Sequence, residues 1–186
     1  MRKIIVSNNV SLDGFFAGPK GEFDWFVWDE ETAEYIKELL RSIDTLLFGR
    51  VTYELMAGYW PTASPSTEDP MIINAMNNLP KIVFSRTLEK VEWNNSRLVK
   101  ENIVEEAARL KQQPGKDMVI FGSGSIVSAF AQSGLIDDYR IFINPVVLGR
   151  GKLMFKGLHE RLKLKLLNSK KFQCGVVLLQ YMPETK

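Results

Sequence analysis

The stretch "VIFGSGSIVSAF", Val119–Phe130, decides the fold. Its apolar run is too short for a helix, breaks at Gly122, Ser123 and Gly124, and resumes as small and apolar residues at helical spacing. Strand, glycine turn and helix are the unit from which parallel sheets are built. The same turn presents free main-chain N–H groups at a helix N-terminus, where anions bind. Taken alone, the segment fits a plain turn equally well. The dinucleotide fingerprint G-x-G-x-x-G fails, because Val127 stands where its third glycine belongs and the motif lies late in the chain.

Upstream the same alternation repeats. "KIIVSNNV" (Lys3–Val10) reads as a strand that ends in the Gly-, Pro- and Asp-rich loop "SLDGFFAGPKGEFDW". From Asp29, a good N-cap, "DEETAEYIKELLRSID" places Ile36, Leu39, Leu40 and Ile43 on one helical face. A second strand, Thr45–Arg50, leads into the helix "VTYELMAGYW". Asp69 followed by Pro70 opens the helix "MIINAMNNL", and Lys81–Ser85 forms a third strand. "SRLVK" adds a short strand, Asn102 caps "NIVEEAARLKQQ", and Pro114-Gly115 stops it. "DMVIF" and the helix "SIVSAFAQSG" complete the set, with Gly134 at its end.

The last third changes character. "YRIFINPVV", "RLKLKLL" and "KKFQCGVVLLQYM" read as strands, with Cys174 alternating with Phe172, Val176 and Leu178. These are expected as antiparallel strands added to a parallel core. The expected architecture is one α/β domain over residues 1–186, a three-layer α/β/α sandwich around a mixed, mainly parallel sheet of about eight strands.

Composition narrows the function classes. Hydrophobic residues make up 45% and charged ones 25%, ordinary values for a folded domain. The net charge is +2 with both signs interspersed, which offers nucleic acid no footprint. The opening stretch lacks the apolar run of a signal peptide, and no run reaches the roughly 20 apolar residues of a membrane span. The expectation is a cytoplasmic protein with neither nucleic-acid nor membrane partners. One cysteine and one histidine, Cys174 and His159, exclude a multi-cysteine zinc site, and no metal is expected.

Four constellations carry chemistry. Besides the glycine turn, "FGRVTYE" sets Arg50 directly after an apolar strand, and "VFSRT" repeats the design with Ser85, Arg86 and Thr87. Either arginine alone reads as a surface ion pair. Two strand-end arginines beside a glycine turn read as a phosphate cradle. In "SLDGFFAG", Asp13 sits in an Asp-Gly turn whose long loop, with Phe15, Phe16, Trp25 and Trp28, is suited either to cover a flat heterocycle or to plug the core.

"VSLDGFFAG" with Asp24-Trp25, "LLFGRVTYE", "KIVFSRTL", "VIFGSGSIVSAF" and "GLIDDYRIFINPVVLGRGKLMF" together resemble the dihydrofolate reductase-like superfamily. More closely, they are similar to stand-alone proteins related to the carboxy-terminal reductase domain of the bifunctional riboflavin-biosynthesis enzyme. The resemblance implies an NADPH-dependent reductase. Gly49, Arg50 and Thr52 match the motif that contacts cofactor phosphates; Ser85 and Arg86 match the segment beside the 2′-phosphate. Gly122, Ser123, Gly124, Ser125 and Ile126 match the pyrophosphate loop, with a cis bond expected at Gly122-Ser123. Asn9 and Val10 fall near the nicotinamide. Asp13 and Glu30 are the proton-relay candidates, and Trp25 and Arg150 the substrate contacts, although Arg150 between Gly149 and Gly151 reads most simply as a turn between strands.

The implied activity is hydride transfer to a small heterocyclic substrate, with 5-amino-6-(5-phosphoribosylamino)uracil reduction as the specific case. The zinc deaminase half of the bifunctional enzyme has no ligands here. A pterin-type reductase and a non-catalytic nucleotide-binding homodimer on the same fold are the alternatives, and the resemblance also implies a homodimer.

Overall fold

Most buried runs of the sequence become strands, and the computed structural model describes them over residues 1–184. In chain order they are β1 (Ile4–Ser11), β2 (Phe15–Ala17), β3 (Ile43–Gly49), β4 (Lys81–Phe84), β5 (Ser96–Val99), β6 (Asp117–Phe121), β7 (Asp138–Asn144), β8 (Lys152–Leu153), β9 (Leu164–Lys171) and β10 (Val177–Pro183). The helices are α1 (Glu30–Ser42), α2 (Arg50–Tyr59), α3 (Pro70–Asn78), α4 (Ile103–Gln112) and α5 (Gly124–Gln132).

Eight strands form one sheet in the order β5-β4-β3-β6-β1-β7-β10-β9. From β5 to β7 all neighbours are parallel, and the last two strands join antiparallel. Leu46, Leu47, Phe48, Val119 and Ile120 have no exposure at all, as expected for central strands covered on both faces. The first face carries α1, α2 and α3, whose Leu39, Tyr53 and Met76 pack on Ile5, Phe48 and Val83. The second carries α4 and α5, whose Leu110 and Phe130 pack on Val6, Leu47 and Ile120. This is the expected three-layer sandwich. No helix among the described residues is long and apolar enough to cross a membrane.

Several boundaries differ from the sequence reading. Ile43 continues the helical spacing of Leu39 and Leu40 but opens β3, because the chain turns extended there (φ −113°, ψ 167°). "RLKLKLL" becomes strand only from Leu164, and β9 runs on through Lys171. Cys174 lies in the turn between β9 and β10 instead of within a strand, since Gly175 at φ +90° reverses the chain. Asn102 precedes α4 in a left-handed conformation (φ 51°) without a side-chain capping bond. Two short strands, β2 and β8, pair with each other over the rim of the sheet.

Side-chain caps close two helices. Asp69 accepts from Met71 N at 2.8 Å, with Pro70 in the first position of α3. At α1, Asp29 accepts from Thr32 N at 2.8 Å while Thr32 Oγ1 accepts from Asp29 N at 2.9 Å, a reciprocal capping box. The Thr32 main-chain bond, joined by one from Cys174 N, holds the Asp29 carboxyl down at about 2. Its contribution is therefore full above the unfolded value of about 3.9 and is lost as pH falls through the native one. Asp29→Ala is expected to melt below wild type at pH 7, with the gap closing between about pH 4 and pH 2. An equal gap at both ends of that range would contradict this account.

Candidate functional site

Strands β3 and β6 lie side by side, and the helices that follow them, α2 and α5, depart to opposite faces of the sheet. In open α/β sheets such a divergence marks the crevice at the carboxyl edge where ligands settle. Neither α2 nor α5 has a side-chain cap, in contrast to α1 and α3. The first-turn N–H groups of Arg50, Val51, Gly124 and Ser125 have no intrahelical acceptor.

Ser123 stitches the two helix starts together. Its Oγ accepts from Gly49 N at 2.6 Å and donates to Thr52 Oγ1 at 3.0 Å, and its main-chain N–H also donates to Thr52 Oγ1 at 3.0 Å. Asn8 grips the preceding residue at both its main-chain groups: Gly122 N donates to Asn8 Oδ1 at 2.6 Å, and Asn8 Nδ2 donates to Gly122 O at 3.2 Å. Sequence reasoning selected Asn9 and missed Asn8. The available signal was an asparagine at a core-facing position between Val6 and Val10.

No peptide bond among the described residues is cis, so the Gly122-Ser123 expectation is corrected. The chain reverses instead through two successive left-handed residues, Gly122 at φ +66° and Ser123 at φ +55°. A Cβ on Gly122 would lie 2.7 Å from Thr52 Oγ1, and one on Gly49 would lie 3.1 Å from both Ile126 Cγ1 and Ser123 Oγ. These glycines let β3, α2 and α5 approach each other closely.

Two cations border the crevice. Arg50 is half exposed and pairs with Glu54 at 3.0 Å, one turn along α2. Arg86 is exposed, and its guanidinium makes no bond among the described residues. Ser85 is buried, and its Oγ accepts from Thr87 N at 3.2 Å and Leu88 N at 3.0 Å. That hydroxyl shapes the turn that presents Arg86. Ile126 and Val10 lie in the core beneath the crevice, whereas Ser125 is exposed beside it.

At the rim, Asp13 accepts from Ser11 Oγ at 2.6 Å, Leu148 N at 3.1 Å and Gly149 N at 2.7 Å. The Ser11 hydroxyl, then the two main-chain donors, hold its carboxyl below the ordinary range. A carboxylate so engaged ties the β1–β2 turn to the 146–149 loop, and the proton-relay expectation for Asp13 is not supported by this geometry. Glu30 stands exposed on the first turn of α1. Trp25 and Arg150, distant in sequence, meet in one cleft of about 300 Å³ that Lys20, Glu22, Asp24 and Leu148 also line. Asn9 is partly exposed on the α1 side of β1, and its Oδ1 accepts from Asn144 Nδ2 at 3.0 Å.

Comparison with known proteins places this geometry in context. Residues 2–178 match the sequence model of a family described as RibD C-terminal domain. The chain is 37% identical over 180 residues to the uncharacterized protein YyaP of Bacillus subtilis (strain 168), spanning 97% of this chain and 94% of that one. A diaminohydroxyphosphoribosylaminopyrimidine deaminase/5-amino-6-(5-phosphoribosylamino)uracil reductase from Thermotoga maritima superposes with a TM-score of 0.71 at 17% identity, over 98% of this chain and 56% of that one. Dihydrofolate reductase from Enterococcus faecalis, complexed with NADP(H), gives a TM-score of 0.65 at 15% identity, over 98% and 97%. The sandwich is of the dihydrofolate reductase type.

Proposed function

Because the chain belongs to the RibD C-terminal domain family, we propose that it is an NADPH-dependent reductase acting on a small polar heterocycle. The observation that carries this reading is the pair of uncapped helix starts joined through Ser123 and bordered by Arg50 and Arg86. An adenine dinucleotide with a 2′-phosphate needs such a set: main-chain donors for the pyrophosphate and a separate cation for the extra phosphate.

The residues present fit that group. The N–H groups of Arg50, Val51, Gly124 and Ser125 would hold the pyrophosphate, and the unengaged guanidinium of Arg86 the 2′-phosphate. Bound NADPH would supply a hydride from its nicotinamide. The chain supplies position and cover: the cleft of Trp25 and Arg150 orients a substrate with an aromatic face and a cation, and the β2–β8 pair closes over the rim. The substrate in this reading is 5-amino-6-(5-phosphoribosylamino)uracil, reduced at the sugar C1 to the ribitylamino product. Self-association of the chain belongs to the same proposal, through β9 and β10, where Leu166 and Leu167 are half exposed.

Titration with both nicotinamide cofactors tests the assignment. NADPH is expected to bind at least about tenfold tighter than NADH, and Arg86→Ala to weaken NADPH about tenfold while leaving NADH nearly unchanged, as loss of a charge-assisted phosphate contact requires. Absence of binding by either cofactor at millimolar concentration would leave a protein that kept the fold without the activity, and the reading would fall.

A further inference from the structure

A polar chain at the carboxyl end of β1 ends on donors that nothing among the described residues uses. It begins at the main-chain N–H of Val27, which donates to Asn144 Oδ1 at 2.9 Å. Asn144, wholly buried at the end of β7, turns its amide nitrogen to the Phe142 carbonyl at 3.2 Å and to Asn9 Oδ1 at 3.0 Å. The Val27 N–H only donates and the Phe142 carbonyl only accepts, so both ends of the Asn144 amide are assigned. Asn9 follows: its oxygen meets Asn144, and its NH2 group is on the other side.

Asn9 is partly exposed, and its Nδ2 makes no hydrogen bond among the described residues. Its register neighbour on β7 is Phe142, which packs edge-on against Tyr35 of α1 with ring centres 5.6 Å apart, so Asn9 shares the α1 side of the sheet. It follows Asn8 on β1 and so points to the opposite face of the sheet, near the carboxyl end of the strand. Nearby carboxylates are largely committed elsewhere. Main-chain N–H groups engage Asp13, Asp29 and Glu31, and Glu30 is exposed to solvent.

A carbonyl edge would accept from the Asn9 donors, whereas the donor edge of an amidine would face them unmatched. Resting on the reductase reading above, we propose that Asn9 determines specificity by donating to a carbonyl oxygen of the substrate ring. The site then takes pyrimidinedione rings in preference to amidine-bearing rings such as pterins and diaminopyrimidines. Asn144 is the positioning residue that fixes which end of Asn9 faces outward.

Asn9→Asp tests this directly, because its carboxylate still accepts from Asn144 while the outward donor becomes an acceptor. Calorimetric titration with 5,6-diaminouracil and with 2,4-diaminopyrimidine, with and without saturating NADP+, reads the preference. Wild type is expected to favour the uracil by about tenfold or more, and Asn9→Asp to reverse that order. Asn9→Ala should weaken the uracil without improving the diaminopyrimidine, and melting curves confirm that each variant is folded. An unchanged ratio of affinities in Asn9→Asp overturns the proposal. So does a change confined to NADPH affinity, which would assign the donors to the nicotinamide carboxamide. The two readings separate: NADPH binding with an unchanged ratio sinks only the Asn9 assignment, while an inverted ratio without NADPH binding sinks only the reductase.

Discussion

Gly122→Val is expected to raise the Kd for NADPH on the order of 100-fold and to lower stability by about 2 kcal/mol, because a β-branched residue must adopt a left-handed conformation. The site leaves it no alternative. At φ +66° the new Cβ would lie 2.7 Å from Thr52 Oγ1 and 2.9 Å from Thr52 Cγ2. Thr52 cannot retreat freely, since its hydroxyl accepts both Ser123 donors. Relief therefore requires the Gly122–Ser123 segment to move away from α2. That movement strains the two Asn8 bonds and parts the helix starts that supply the phosphate donors. Equilibrium dialysis and a denaturant titration check the two effects separately. A variant that binds NADPH like wild type would contradict the placement of the cofactor at this turn.

Lys81→Met is expected to destabilise the chain by about 2 kcal/mol, lowering the melting temperature by roughly 4–8 °C for a domain of this size. Lys81 has no exposure, opens β4, and donates from Nζ to the carbonyls of Asn77 at 3.0 Å, Leu79 at 2.8 Å and Asn94 at 3.0 Å. Its ammonium also lies 4.4 Å from the centre of the Trp93 ring. Methionine removes the burial cost of a charge together with these bonds, but it leaves the carbonyls without their lysine partner, and that loss dominates. The pH dependence identifies the cause. Burial pushes the Lys81 ammonium down to about 8, whereas the unfolded chain keeps its proton to about 10.4. Between those values the unfolded state binds the extra proton, so wild-type stability gains with rising pH. The deficit of Lys81→Met should widen from pH 8 to pH 10; a constant or shrinking deficit would contradict this description.

The alternation of elements was legible because local signals agreed with the global fold. Asp29 and the Asp69-Pro70 pair each announced a helix start, and the apolar runs around Leu46 and Val119 had the length and flanking glycines of buried strands. Ile43 was misread because its spacing from Leu39 and Leu40 satisfies a helix, and only the backbone turn decides otherwise. Cys174 was misread because period-two alternation continues across a glycine turn without showing it. β2 and β8 are too short to leave a period.

At the candidate site, residue types were legible and their partners were not. "FGRVT", "FSRT" and the glycine turn read as three parts of one cradle, and the sandwich brings the first and third together through Ser123. Asn8 escaped notice because an asparagine inside a buried strand declares itself only when its partner, the Gly122 peptide, is seen. Asp13 looked like an available acid because its three donors come from Ser11 and from a loop more than 130 residues away. The relay from Val27 through Asn144 to Asn9 likewise spans three separate segments, and no linear pattern encodes it.

The most direct test of the central claim is to follow the backbone amide resonances of the full chain as NADP+ is added. A dinucleotide phosphate between the two helix starts shifts the N–H signals of Arg50, Val51, Gly124 and Ser125 in concert, at one saturable affinity. Those of Thr32 and Met71, already bonded to Asp29 and Asp69 at the starts of α1 and α3, stay in place. Shifts that leave the α2 and α5 amides unmoved would contradict the account.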